Sequence, residues 1–100
     1  KGRVMFAVIF KAKVGKQDKD YLDMVAVMRE LAFSKYGCLD FIAVSEGDQE
    51  IAISYWESEQ DIQRWHNDSQ HAVAQELGKE KWYQSYVVEV VEIQRRYSFP

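Results

Sequence analysis

Trp65, His66 and His71 crowd into one stretch, IAISYWESEQDIQRWHNDSQH, that runs from Ile51 to His71. An indole is costly to expose, and an imidazole takes up or releases a proton near neutral pH. Such a group either closes a core or lines a pocket. Trp65 follows Ile62 by three residues, so both fall on one helical face. It can plug that helix against a sheet, form the wall of a cavity, or do both. His71 lies beyond a break at Asn67-Asp68-Ser69 that resets the helix direction and lets Trp65 and His71 both point inward. It is the expected base, acid or ligand, weighed against the commoner task of capping a buried carbonyl. His66 neighbours Trp65 and should face solvent, because adjacent helical residues do not share a face.

A second group, Trp82, Tyr83 and Tyr86, stands between the last helical segment and the last strand. It can staple that connection or contact a ligand, and a phenol can donate to a developing oxyanion. No metal site is expected, since residues 66 and 71 lack the i, i+4 spacing that offers two imidazoles to one ion, and no cysteine or carboxylate cluster completes a shell. Gly-x-Ser-x-Gly and glycine-rich phosphate motifs are also missing, which argues against hydrolases and nucleotide-dependent enzymes. Cys38 follows a helix-ending glycine, where a thiol is favoured over a thiolate, and is read as structural.

These residues need elements to position them. RVMFAVIFKAKV (Arg3 to Val14) reads as a strand that is apolar at both parities, with Val4, Phe6, Val8 and Phe10 on one face and Met5, Ala7 and Ile9 on the other. From Asp18, the positions Tyr21, Met24, Val25, Met28, Leu31, Ala32 and Tyr36 follow helical spacing, and Gly37 sits where a left-handed cap would end the helix. Cys38 to Glu46 and Glu50 to Trp56 form a hairpin around Gly47-Asp48-Gln49. Ser58-Glu59-Gln60-Asp61 fits a capping box, in which the acid reaches back to the cap. A further helical segment should run to about Leu77 and Gly78, and a long last strand from Ser85 to Phe99, with apolar residues on both faces until about Ile93. The order β-α-β-β-α-β predicts an α+β fold of ferredoxin-like type, with an antiparallel sheet and both helices on one face. Large residues at both parities then leave the other face apolar, either Met5 and Ile9 or Phe6 and Phe10, and a second copy packed sheet to sheet is the economical cover.

Residues 1–100 are the size of one domain, and 47% hydrophobic with 29% charged residues and one proline is globular composition. A net charge of −3 offers no field for phosphates, so nucleic acid is not an expected partner. The lone Cys38 excludes an intramolecular disulfide and points to a reducing compartment, the cytoplasm. The longest apolar run, Val4 to Phe10, is too short for a membrane span, and no export signal is visible.

The run SYWES at Ser54 to Ser58, then Trp65, Asn67-Asp68, His71, Ala74-Gln75, Gly78, Lys81-Trp82-Tyr83, Tyr86 and a terminus ending in Arg96-Tyr97 resembles the antibiotic biosynthesis monooxygenase family of the dimeric α+β barrel superfamily. The resemblance implies two ferredoxin-like subunits joined through their sheets, each with a cavity between sheet and helices. It implies cofactor-independent oxidation of an aromatic or polycyclic small molecule by molecular oxygen. Its alternatives are haem degradation and a non-catalytic dimer that binds a small aromatic ligand. In the haem-degrading branch an Asn on the first strand, a Trp and a late His form the site. Trp65 matches the Trp, whereas the Asn position falls at Ile9 or Phe10 and the His position at Gln75, so haem is the second choice behind no cofactor. Oxygenation without a cofactor needs a base, a donor for the anion and a dry cavity. His71 with Trp65 are the expected catalytic pair, and Trp65, Trp82, Tyr83 and Tyr86 the expected ligand surface.

Overall fold

The computed structural model describes residues 4–68 and 75–100. The elements are β1 (Met5–Val14), α1 (Lys19–Ser34), β2 (Asp40–Glu46), β3 (Gln49–Trp56), α2 (Glu59–His66), a π-helical turn (Gly78–Trp82) and β4 (Tyr83–Ile93). All strand pairs are antiparallel, in the order β2-β3-β1-β4. This is the ferredoxin-like sheet, with the two terminal strands paired beside each other.

Local chemistry sets the element ends. Asp18 caps α1, its Oδ1 accepting the Tyr21 backbone N–H at 3.0 Å, and Ser58 caps α2 by accepting from Asp61 N at 3.1 Å. Asp61 does not complete a capping box. Its carboxylate pairs forward with Arg64, one helical turn on. Gly37 takes φ +81° after α1, the left-handed conformation that lets the chain turn out of the helix. Gly47 takes φ +61° at the first position of a two-residue hairpin loop, since Glu46 already pairs with Gln49. Gly15 has a different reason. Its N–H donates to Trp82 O at 2.8 Å, and a Cβ there would sit a tight 3.0 Å from Lys81 O, so glycine lets the loop leaving β1 run close against the π-helical turn.

The pairing register decides which parity of β1 faces the helices. Phe6, Val8 and Phe10 sit opposite Trp56, Ser54 and Ala52 of β3, and this face packs beneath α1 and α2. Met5, Ala7 and Ile9 therefore belong to the other face, with Ile53 and Tyr55 of β3 and Val87 and Val91 of β4. That face leaves Ile42, Val44, Val87 and Val91 between 38% and 59% exposed. The core on the helix side is built on Trp56, which is fully buried, together with Val8, Met28, Ala32, Cys38, Ile62 and Trp65. The buried Cys38 thiol donates to Asp40 O, and burial pushes its pKa up, in keeping with a structural cysteine.

The last strand ends at Ile93 rather than Phe99, where the apolar pattern on both faces stops; it begins two residues earlier than Ser85, at Tyr83, and the segment before it continues beyond Gly78 as the π-helical turn. The reason is a register shift opposite Lys13 and Val14, where Val14 pairs with Tyr83 while Lys13 pairs with Ser85. On a regular strand Tyr83 and Tyr86, three apart, would point to opposite faces. The irregularity inserts one unpaired residue and brings both phenols to the helix side, where their rings lie 5.8 Å apart.

Candidate functional site

Between the helices and the sheet lies a cavity of about 390 Å³, within the range that holds a small organic ligand. Its floor is the helix face of all four strands, its roof α1 and α2, and its lining is mostly aromatic, aliphatic and methionine side chains. Val88 and Val90 line it and are each 46% exposed, so the open side runs along β4.

One end is built from indoles. α2 presents Ile62 and Trp65 inward from one face, as their spacing requires. Trp65 is 8% exposed, stacks tilted on Trp56 at 5.3 Å, meets the edge of Phe41 at 6.4 Å, and donates Nε1–H to Met28 O at 3.0 Å. It is both core plug and cavity wall. Trp56, in the SYWES run, is the deeper anchor, and its Nε1–H is satisfied by Ser54 Oγ at 2.8 Å. His66 is exposed, as its position next to Trp65 requires, yet it also lines the cavity rim, because α2 ends there. Its Nδ1 lies 3.2 Å from Nε2 of Gln75 across the rim. The break after α2 is anchored by Asp68, which accepts from Tyr36 Oη at 2.6 Å. His71, the expected base, lies outside the described residues.

The other end is built from phenols around a carboxylate. Tyr21, on the first turn of α1, is 5% exposed and donates its hydroxyl to Glu50 Oε1 of β3 at 2.7 Å. Gln17 Nε2 donates to the same oxygen at 3.3 Å. Tyr83 Oη donates more weakly to Tyr21 Oη at 3.4 Å, and Tyr86 and Phe10 pack against the Tyr83 ring. Burial, then the Tyr83 hydrogen bond and Glu50, holds the Tyr21 phenol far above its ordinary pKa. Burial also raises Tyr83, to about 12, helped by the charge of Glu50 and opposed by the Tyr21 hydroxyl. Both phenols are donors at neutral pH, not bases. Trp82, 2% exposed, lies edge-on to Tyr21 at 5.4 Å. Its indole N–H lies near the Asp18 carboxylate without a hydrogen bond of good geometry. Asp18 is held below its ordinary pKa chiefly by Lys81, whose ammonium lies 3.0 Å away, and by the Tyr21 backbone N–H.

Of the residues singled out by type and spacing, the structure brings Trp65, Trp82, Tyr83 and Tyr86 to one cavity. Tyr21 and Glu50 were not singled out. Tyr21 reads as one more apolar position of an amphipathic helix, and Glu50 as a hairpin residue; only the sheet register places them 2.7 Å apart. The alternation of Glu50 with Ala52 and Ser54 on the inward parity of β3 was a usable signal, a charge on a face otherwise free of it. Among the described residues, no group of three His, Cys, Asp or Glu side chains can hold a metal ion. Among them, too, no helix is long and apolar enough to cross a membrane.

No protein-family model matches the chain. It is 35% identical over 95 residues to the uncharacterized protein YqjZ of Bacillus subtilis, an alignment covering 94% of this chain and 83% of YqjZ. Among solved structures, SnoaB of Streptomyces nogalater, a cofactor-independent oxygenase, superposes with a TM-score of 0.71 at 11% identity, covering 96% of this chain and 97% of its own. A Caulobacter crescentus protein bearing the name of the antibiotic biosynthesis monooxygenases superposes at 0.72 with 16% identity, covering 93% and 92%. Rv0793 of Mycobacterium tuberculosis does so at 0.76 with 14% identity, covering 94% and 99%. With the element order, the β2-β3-β1-β4 sheet and the cavity beneath two helices, these likenesses lead to one conclusion: the chain belongs to the family of YqjZ, and its fold is the ferredoxin-like α+β fold of the antibiotic biosynthesis monooxygenases.

Proposed function

We propose that this protein oxidises a flat aromatic or polycyclic molecule with molecular oxygen in the cavity between sheet and helices, without a cofactor, and does so as a homodimer in the cytoplasm. The cavity carries the reading: about 390 Å³ walled by Trp65, Phe41, Phe10, Met24 and Met28, with polar groups confined to its ends. The SnoaB likeness in fold is compatible with it. In such a reaction the substrate loses a proton to become an electron-rich anion, which passes its electrons to oxygen. A methylene then becomes a carbonyl, one oxygen atom entering the product and the other leaving as water, so the substrate itself supplies every electron. The described cavity groups able to take a proton are Glu50 and, at the rim, His66; His71 is a further proposed acceptor on sequence grounds. Tyr83, protonated up to about pH 12, is placed to donate to the anion.

Haem fits the described residues poorly. The cavity-facing residue at the first-strand position is Phe10, the late-helix position is Gln75, and the described imidazole at the cavity, His66, sits exposed at the rim facing Gln75. Added haemin should therefore give no Soret band characteristic of a ligated complex.

The dimer rests on the open sheet face, where Ile9, Ile42, Val44, Ile53, Val87 and Val91 form an apolar surface that no described helix covers. A second copy presenting the same face satisfies both at once through a two-fold axis. Sedimentation should report two chains at micromolar concentration, and a monomer there refutes this part. For the reaction, oxygen uptake should follow addition of an anthrone, whose ring methylene becomes a carbonyl, above the uncatalysed rate. Tight binding with no uptake across such a series would replace the oxygenase with a ligand-binding dimer.

A further inference from the structure

A carboxylate in the wall of an apolar cavity needs an occupation, because a charge facing such a space is costly unless hydrogen-bonded. Glu50 is the carboxylate among the described cavity-lining residues, and both hydrogen bonds that it accepts, from Tyr21 Oη and Gln17 Nε2, go to Oε1. Neither Oε2 nor the carboxylate as a whole takes part in an ion pair among the described residues; Lys13 pairs with Asp48 and Lys81 with Asp18. Tyr21 is buried and fixed by the α1 cap, and its hydrogen bond holds Glu50 Oε1 at this spot. Next to it stands Tyr83, whose hydroxyl makes only a long 3.4 Å contact to Tyr21 and so can turn to a better acceptor. The flat walls Phe10 and Tyr86 flank the pair.

We infer that Oε2 of Glu50, with the Tyr83 hydroxyl, reads a hydroxyl group at one edge of the ligand, so that the cavity accepts neutral hydroxylated planar aromatics and rejects carboxylated ones. The inference rests on the cavity reading above and sharpens it. A ligand hydroxyl both donates, to Oε2, and accepts, from Tyr83 Oη, and so matches the two protein groups in a way that an unsubstituted ring edge cannot. A ligand carboxylate would place like charges in contact. Both tyrosines are held protonated at neutral pH, so each can donate a hydrogen bond but neither brings a positive charge to offset that repulsion.

The test uses three fluorescent probes of one shape: pyrene, 1-hydroxypyrene and 1-pyrenecarboxylate. Binding is followed by quenching of tryptophan emission in the full-length protein at neutral pH. We expect 1-hydroxypyrene to bind about tenfold or more tighter than pyrene, and the carboxylate to bind more weakly than either. Glu50→Gln keeps the volume and one acceptor but removes the charge. It should narrow the hydroxyl preference several-fold and strengthen 1-pyrenecarboxylate binding about tenfold. Pyrene should bind Glu50→Gln as tightly as it binds the wild type, whereas a loosened fold would take up all three probes more tightly. Equal affinity of the wild-type protein for pyrene and 1-hydroxypyrene would overturn the role of Glu50 while leaving the aromatic cavity in place. Failure of all three probes to bind would overturn the cavity reading and this inference together.

Discussion

The two ends of the cavity are held by different forces. At the indole end, Trp65, Trp56 and Phe41 are packed ring against ring, and each indole N–H has its own acceptor, Met28 O or Ser54 Oγ. At the phenol end, Tyr21, Glu50 and Tyr83 form a chain of hydrogen bonds in which the last link is long and one carboxylate oxygen is uncommitted. The first arrangement is complete without a ligand and works through buried area. The second is incomplete and works through polarity. On the proposed reading the indole end sets stability and ligand shape, and the phenol end sets which ligand is accepted.

Substitutions can break this contrast. The largest effect belongs to Trp65→Ala, which removes a ring that is 8% exposed and touches Trp56 and Phe41; chemical unfolding should show a loss of about 3–5 kcal/mol. Tyr21→Phe keeps the ring against Trp82 but deletes the donor to Glu50, and should cost about 1–3 kcal/mol by the same measurement. If the two losses were equal, the ends would not differ in kind. Ser58→Ala should cost about 1 kcal/mol through the α2 cap, shifting Trp65 little and leaving the phenol end untouched. Arg64→Ala, on the exposed pair with Asp61, should change stability by less than about 1 kcal/mol.

The pH dependence sharpens the contrast from the other side. The Tyr83 pKa is raised from 10.0 to about 12 in the folded state, and that of Tyr21 is raised as well. Their contribution to stability is fully present below pH 10. It is lost as pH rises through about 10 to 12, because the unfolded chain gives up these protons first. Unfolding midpoints should fall across that window, and Tyr83→Phe should flatten the fall. A slope unchanged in Tyr83→Phe and Tyr21→Phe would show that the phenol end is not desolvated.

Much of the fold was legible because periodicity survives in a single chain. The two-sided β1, the spacing of Tyr21, Met28 and Ala32, the glycines at 37 and 47 and the serine cap of α2 are local signals, and each appears where its pattern places it. The start of β4 at Tyr83 is not legible in the sequence, because a register irregularity depends on the partner strand and nothing in Tyr83-Gln84-Ser85 announces it. The site was half legible. Trp65, Trp82, Tyr83 and Tyr86 stand out by type, whereas Tyr21 and Glu50 look ordinary where they stand and are 29 positions apart.

The sequence by itself determined the alternation of elements, their caps and turns, and the fact that one sheet face must be left apolar, since these follow from side-chain period and from backbone demands within a few residues. Only the tertiary structure decided which parity of β1 faces the helices, that Tyr83 and Tyr86 share a side, and that the Tyr21 hydroxyl meets the Glu50 carboxylate at 2.7 Å. A one-residue change of register exchanges the faces of a strand. That choice is settled by the packing of strands and helices far apart in the chain, which no short stretch of sequence contains.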